Sequence, residues 1–187
     1  MGNLVVLAGA SGVGKTAVAE VLMRMVSPKK KRCIKAITCT TREMRSGEIN
    51  GIHYHFKTEK EFHNAVAAGE FIETFQYAGN YYGTRYKDLS DLMDNDENVV
   101  IVMEINGAMK IKEAFPTCTK IIYLERPFED LVMAILERDI SNQDKAKRIA
   151  QILEDLKVRD MDCVDYIIFN ETGKLQETAE KIYDLLT

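Results

Sequence analysis

Leu4-Val5-Val6-Leu7-Ala8-Gly9-Ala10-Ser11-Gly12-Val13-Gly14-Lys15-Thr16 is the stretch on which the reading of this chain turns. Leu4 to Ala8 is a short unbroken apolar run, the pattern of a strand covered on both faces. From Thr16 to Met25 the apolar residues Ala17, Val18, Val21, Leu22 and Met25 recur at helical spacing. Between the two, Gly9–Thr16 matches G-x-x-x-x-G-K-[ST] in full, at the strand-to-helix turn where that motif has meaning. Its glycines let successive backbone N–H groups of Gly9, Ala10, Ser11, Gly12, Val13 and Gly14 turn around phosphate oxygens, at a helix N-terminus that already favours anions. Lys15 is placed to bridge the β- and γ-phosphates, and Thr16 to offer its hydroxyl to Mg²⁺. The segment reads as a nucleoside triphosphate site.

Working outward, the same strand–helix alternation repeats. Apolar runs at Val99–Met103, Lys120–Leu124 and Tyr166–Phe169 are each followed by a helical pattern, the last reaching Leu186. This predicts an α/β fold with a parallel sheet and helices on both faces. Ligand sites in such sheets lie at the carboxyl ends of the strands, where Gly9–Thr16, Glu104–Asn106 and Asn170 stand. Two stretches interrupt the pattern. Residues 37–85 are polar and rich in Thr, Gly and Tyr, and read as an inserted region of small antiparallel strands. Residues 139–147 read as a polar, mobile flap between helices.

Composition narrows the class. A chain of 187 residues with 46% hydrophobic content is one domain's worth of globular protein, with a core that needs no metal or disulfide staple. A net charge of −4 argues against a nucleic-acid-coating protein while leaving room for a local basic pocket. Cys33, Cys39, Cys118 and Cys163 form no C-x-x-C pair, so they read as free thiols in a reducing compartment, and Cys39 as a small side chain. No apolar run is long enough for a leader or a membrane span. The expectation is a cytoplasmic protein with no membrane and no nucleic-acid partner. Pro28–Arg32 reads as a solvated turn, His53 and His55 as facing away from Tyr54, and Met103, Met109, Met133 and Met161 as core packing.

The second informative segment is Thr38-Cys39-Thr40-Thr41-Arg42-Glu43-Met44-Arg45-Ser46-Gly47-Glu48, followed by Gly51 and Tyr54. Two arginines three residues apart in such a loop can fork around one phosphate, with a tyrosine hydroxyl as a further donor; a solvated basic loop is the alternative. Beyond it come Glu70-Phe71-Ile72-Glu73 and Gly79-Asn80-Tyr81-Tyr82-Gly83-Thr84. A buried Glu73 could accept from the N1–H and 2-amino edge of guanine, an edge that adenine lacks.

The phosphate loop, T-x-T-T-R-x-x-R-x-G-E, F-I-E and G-N-Y-Y-G-T, in this order and spacing, resemble guanylate kinases over nearly the whole chain. The resemblance implies phosphoryl transfer from ATP to GMP (and dGMP) with Mg²⁺. It implies a P-loop NTPase core (1–36, 86–126 and 160–187), an inserted nucleoside-monophosphate-binding region (37–85) and a helical lid (127–159). It further implies that Arg42, Arg45, Tyr54 and Tyr82 hold the GMP phosphate, and that Thr38, Glu73 and Thr84 read the guanine. Arg138 and Arg148 would close over the transferring group, joining Lys15 and Arg45 as the catalytic set, and Asn170 would lie beside the adenine. The partners implied are ATP and GMP, for a monomer or homodimer.

The chain also departs from the family pattern. Glu104-Ile105-Asn106-Gly107 stands where the family reads [DE]-I-D-x-Q-G, two residues longer, though Glu104 keeps an acid suited to the Mg²⁺ water shell. Ala134 replaces a lid arginine, the lid is one residue short between Arg138 and Arg148, and Glu43-Met44 replaces x-Pro. These departures leave open a related kinase with a shifted acceptor. A non-catalytic binding module of the same fold is the remaining alternative, disfavoured by the intact phosphate loop.

Overall fold

A computed structural model describes residues 2–27, 31–77, 79–94, 97–137, 139–156 and 162–186. The central sheet contains β1 (Leu4–Gly9), β2 (Cys33–Lys35), β7 (Asn98–Val102), β8 (Thr119–Glu125) and β9 (Tyr166–Phe169), in the order β2-β7-β1-β8-β9. All four pairings are parallel, with Leu7 opposite Val102 on one side and Ile122 on the other. β1 is buried along its whole length. Its alternate side chains feed two cores: Val5 and Leu7 pack with α1 (Lys15–Arg24) and α7 (Leu175–Asp184), while Leu4, Val6 and Ala8 pack with α3 (Tyr86–Met93) and α4 (Ile105–Ala114). The expected doubly covered parallel sheet is therefore present. Each fully buried Leu or Ile contributes roughly 1.5–3 kcal/mol.

Residues between Cys39 and Arg85 build a second, four-stranded sheet in the order β4-β3-β6-β5, from β3 (Cys39–Thr40), β4 (His55–Phe56), β5 (Phe71–Tyr77) and β6 (Asn80–Arg85). The expectation of small antiparallel strands holds for β3–β6 and β5–β6 but not for β3–β4, which run parallel. The region also carries a helix, α2 (Glu59–Ala67). It is started by a capping box in which Thr58 and Glu61 satisfy each other's backbone N–H. Phe62 of α2 stacks on Phe71 and Tyr81, giving the small sheet an aromatic core.

The polar stretch at 139–147 is not a flap throughout. Asn142 begins the helix α6 (Asn142–Asp155), which follows α5 (Phe128–Leu136). The Ser141 hydroxyl accepts from the Asp144 N–H at 3.1 Å and donates to the Asp144 carboxylate at 2.8 Å, closing the first turn. Polarity there reflects which way the helix faces: Asp144, Arg148 and Gln151, spaced four and three apart, all line a cleft. Met133, expected in the core, is 54% exposed, because the buried stripe of α5 runs through Leu131 and Ile135 instead. Met161 and residues 28–30 of the expected solvated turn lie outside the described residues.

Candidate active site

The carboxyl ends of β1 and β7, the inserted sheet and α6 enclose a cleft of about 530 Å³. Gly9, Ser11 and Lys15 line it from the core, and Thr38, Arg42, Arg45, Tyr54, Glu73, Tyr82 and Thr84 from the inserted region. Glu104 enters from the end of β7 and Arg148 from α6. Most of the residues singled out in the sequence are thus brought to one cavity. Arg138 lies outside the described residues. Glu48, Phe75, Asn80, Asp144 and Gln151 line the same cleft and were not assigned roles from sequence.

The phosphate loop is held by its neighbours. Gly14 adopts φ +96° as the N-cap of α1, and a Cβ there would stand 2.6 Å from the Asn170 Nδ2. That amide, on a side chain only 5% exposed, donates to the Val13 carbonyl at 2.7 Å. Asn170 is therefore a buttress of the loop and does not line the cleft. Lys15 lies across its own loop, donating to the carbonyls of Gly9 at 2.5 Å and Ala10 at 3.0 Å. Arg148 reaches the loop from α6, its Nη1 3.4 Å from the Ser11 hydroxyl.

At the far end of the cleft Glu73 is 6% exposed and accepts from the Thr84 hydroxyl at 2.7 Å. A register shift in β5 between Phe71 and Glu73 places Glu73 directly opposite Thr84. Burial pushes the Glu73 carboxyl above the ordinary carboxylate range, while the Thr84 hydrogen bond and the nearby Lys110 pull it back. Its other oxygen faces the first turn of α4, where a Cβ on Gly107 would come within 3.5 Å of it. α4 starts immediately after its N-cap Glu104 and seats Gly107 against the buried acid.

The arginine loop lines the same cleft. Arg42 donates from Nη1 and Nη2 to the two oxygens of Glu48 at 2.9 and 2.7 Å, and from Nη1 to the Glu43 carbonyl at 2.6 Å. Its guanidinium carbon lies 5.6 Å from the ring centroids of both Tyr54 and Phe56. Tyr82 stacks on Phe75 at 5.1 Å and meets Tyr54 edge-on at 6.3 Å. The remaining polar neighbours are structural. His53 Nδ1 accepts the Ile49 N–H at 3.0 Å, and His55 lies 3.8 Å from the Asp88 carboxylate. Cys39 is fully buried and its thiol is pushed up to about 11 by burial, which suits a small packing residue rather than a reactive one.

A cavity that joins a phosphate loop to an arginine pair and a buried acid matches one known architecture along the whole chain. The guanylate kinase family model matches residues 1–187. The chain belongs to the guanylate kinase family. It is 30% identical over 186 residues to a guanylate kinase of Oceanobacillus iheyensis, covering 99% of this chain and 86% of that one. Its fold superposes with a TM-score of 0.72 on the crystal structure of a guanylate kinase from Anaplasma phagocytophilum, at 26% identity, covering 99% of this chain and 84% of that one. A gluconokinase from Sinorhizobium meliloti, at 16% identity and a TM-score of 0.50, shares the fold alone. The cleft is lined on one side by the loop between β1 and α1 and on another by the inserted sheet.

Proposed function

We propose that the protein transfers the γ-phosphoryl group of ATP to GMP, and to dGMP, yielding ADP and the corresponding guanosine diphosphate. The observation that carries this reading is the shared cleft, lined by Lys15, by Glu73 with Thr84, and by Arg42, Arg45, Tyr54 and Tyr82. Phosphoryl transfer needs in-line positioning and charge neutralisation rather than a covalent nucleophile, and the lining supplies both. Turning of Lys15 away from the Gly9 and Ala10 carbonyls would bring its ammonium to the donor's β- and γ-phosphates. The Glu73 oxygens would accept from guanine N1–H and the 2-amino group, with Thr38 and Thr84 beside them. Arg42, Arg45, Tyr54 and Tyr82 would hold the acceptor phosphate, while Arg148, with Arg138, would cover the transferring group and exclude water. Asn170 would act on the donor side by holding the loop at Val13 and Gly14.

The donor set also fits Mg²⁺, which takes one or two hard protein oxygens together with substrate phosphates. Thr16, in the first turn of α1, and Glu104, at the end of β7, supply a hydroxyl and a carboxylate. Among the described residues no cluster of three His, Cys, Asp or Glu forms a dedicated cage, in keeping with an ion that arrives with the nucleotide. When bound, Mg²⁺ neutralises charge on the β- and γ-phosphates. All four cysteines are free thiols, which suits a reducing compartment such as the cytoplasm. Among the described residues no helix is long and apolar enough to cross a membrane.

A coupled assay of ADP formation with ATP, Mg²⁺ and each nucleoside monophosphate in turn tests the reading. GMP and dGMP should be turned over, with AMP, CMP and UMP near background. Absence of GMP-dependent ADP formation would refute it, and preference for a non-guanine acceptor would point to a shifted specificity.

A further inference from the structure

Arg42 stands in the acceptor end of the cleft, yet much of its hydrogen-bonding capacity is already committed. A guanidinium has five N–H donors. The Glu48 carboxylate takes one from Nη1 and one from Nη2, and the Glu43 carbonyl takes the second from Nη1. That leaves Nε–H and the second Nη2–H, which share one edge of the planar group and form a two-pronged donor suited to phosphate. The Tyr54 and Phe56 rings flank the guanidinium, each centroid 5.6 Å from its carbon. Glu48 does more than engage Arg42. Its Oε2 also accepts the Arg45 backbone N–H at 2.7 Å, and its own N–H donates to the Arg45 carbonyl at 3.0 Å across Ser46-Gly47. One carboxylate therefore ties together the side chain of one arginine and the backbone of the other, at a point where all three residues line the cleft.

We propose that Glu48 is the positioning residue of the acceptor-phosphate site: it clamps Arg42 end-on so that the Nε–Nη2 edge is presented to the phosphate, and it sets the turn that carries Arg45. This rests on the reading of the cleft as a site for a nucleoside monophosphate. An acid in an anion site repels the ligand, so its presence calls for a compensating gain. The gain is pre-organisation. A free arginine must lose side-chain freedom when it binds phosphate, whereas an arginine already held in the binding orientation loses little. Neutralisation by Arg42 removes most of the repulsion, and the charges of the loop that line the cleft, Arg42, Arg45 and Glu48, still sum to a positive value.

Calorimetric titration of the full chain with GMP and, separately, with guanosine tests the assignment. Glu48→Gln should weaken GMP binding on the order of ten- to hundredfold, the range seen when a supporting residue of a binding group is lost. Guanosine affinity should stay near wild type, the melting temperature should fall only modestly with loss of the Arg42 pair, and in turnover KM for GMP should rise with kcat at saturation nearly unchanged. Glu48→Asp, which keeps the charge but loses the reach, should show the same loss. In an Arg42→Ala background the sign should reverse: there Glu48→Gln removes an uncompensated carboxylate and should tighten GMP binding. Equal GMP affinity for wild type and Glu48→Gln would overturn the proposal. So would a parallel loss of guanosine and GMP binding, or a further loss in the Arg42→Ala background. A wild type that binds no GMP would instead sink the underlying reading, and the proposal with it.

Discussion

At the scale of the residue, Glu73 is held in an arrangement that favours ligand recognition over stability. It is buried against Thr84 and α4, and that burial raises its carboxyl pKa. A carboxylate whose folded pKa lies above its unfolded value binds more protons in the folded state between the two values. Stability then falls as pH rises through that window. Glu73→Gln should therefore be at least as stable as wild type at neutral pH, with a flatter dependence of melting temperature on pH from the acid side upward. The same change turns one acceptor oxygen into an amide donor facing guanine donors. GMP-dependent kcat/KM should fall by about 10²–10⁴, with KM for ATP unchanged. Thermal melts across pH and steady-state kinetics read the two effects separately; a destabilised Glu73→Gln with intact GMP turnover would contradict both. Glu48 runs the opposite way. Hydrogen bonds from Arg42 and the Arg45 N–H lower its carboxyl to about 2, so its clamp is present above the ordinary carboxylate value and lost as pH falls toward about 2.

Among the elements, the short helix α2 is the clearest case of structure carried by local chemistry. Only Phe62 and Ala65 of its nine residues are buried, so its start depends on the Thr58–Glu61 capping box. Thr58→Ala should cost about 1 kcal/mol of stability, measured by denaturant unfolding, with little change in kcat because no residue of α2 lines the cleft. That helix also shows what the sequence conceals. The strands β1 and β7 were legible because both faces are buried along an apolar run, as in Val99-Val100-Ile101, whereas the equally apolar edge strand β9 leaves Tyr166, Ile167 and Phe169 exposed. An element that buries one face against a small sheet, as α2 does, or turns one face to a ligand cleft, as α6 does, lacks a broad apolar stripe and reads as loop. The cap at Thr58-x-x-Glu61 was the available signal for α2. At the site, the motif residues were legible because their chemistry is bound to their spacing. Asp144 and Gln151 were not, because only the orientation of α6 makes them cleft residues. The use of Asn170 as a buttress of Gly14 is likewise invisible until β9 and the loop are placed side by side.

The whole molecule brings three separately built parts to one cavity: the core at Lys15, the inserted sheet at Arg42, Glu48 and Glu73, and α6 at Arg148. A net charge of −4 is no obstacle to phosphate binding in such an arrangement: Lys15, Arg42, Arg45 and Arg148 line the cleft together with Glu48, Glu73, Glu104 and Asp144, and Glu48 is itself paired with Arg42. A ligand that touches all three parts should stabilise the fold more than one that touches two. At a free concentration of 100 times Kd, any ligand specific for the folded state adds about 2.7 kcal/mol, or roughly 5–10 °C in melting temperature for a chain of this length. An adenosine–polyphosphate–guanosine bisubstrate compound, compared at equal concentration with GMP and with a non-hydrolysable ATP analogue, should give the largest shift. Arg148 makes a polar link from α6 to the phosphate loop, its Nη1 3.4 Å from the Ser11 hydroxyl. Arg148→Ala should therefore remove most of the bisubstrate's excess while leaving the shift from GMP alone intact, if GMP is held by the inserted sheet as proposed. Loss of the GMP shift in that variant would mean that α6 supports the acceptor end directly. An undiminished excess would mean that the donor and acceptor ends are joined through the inserted sheet and α4, where Glu73 meets Gly107, rather than through α6.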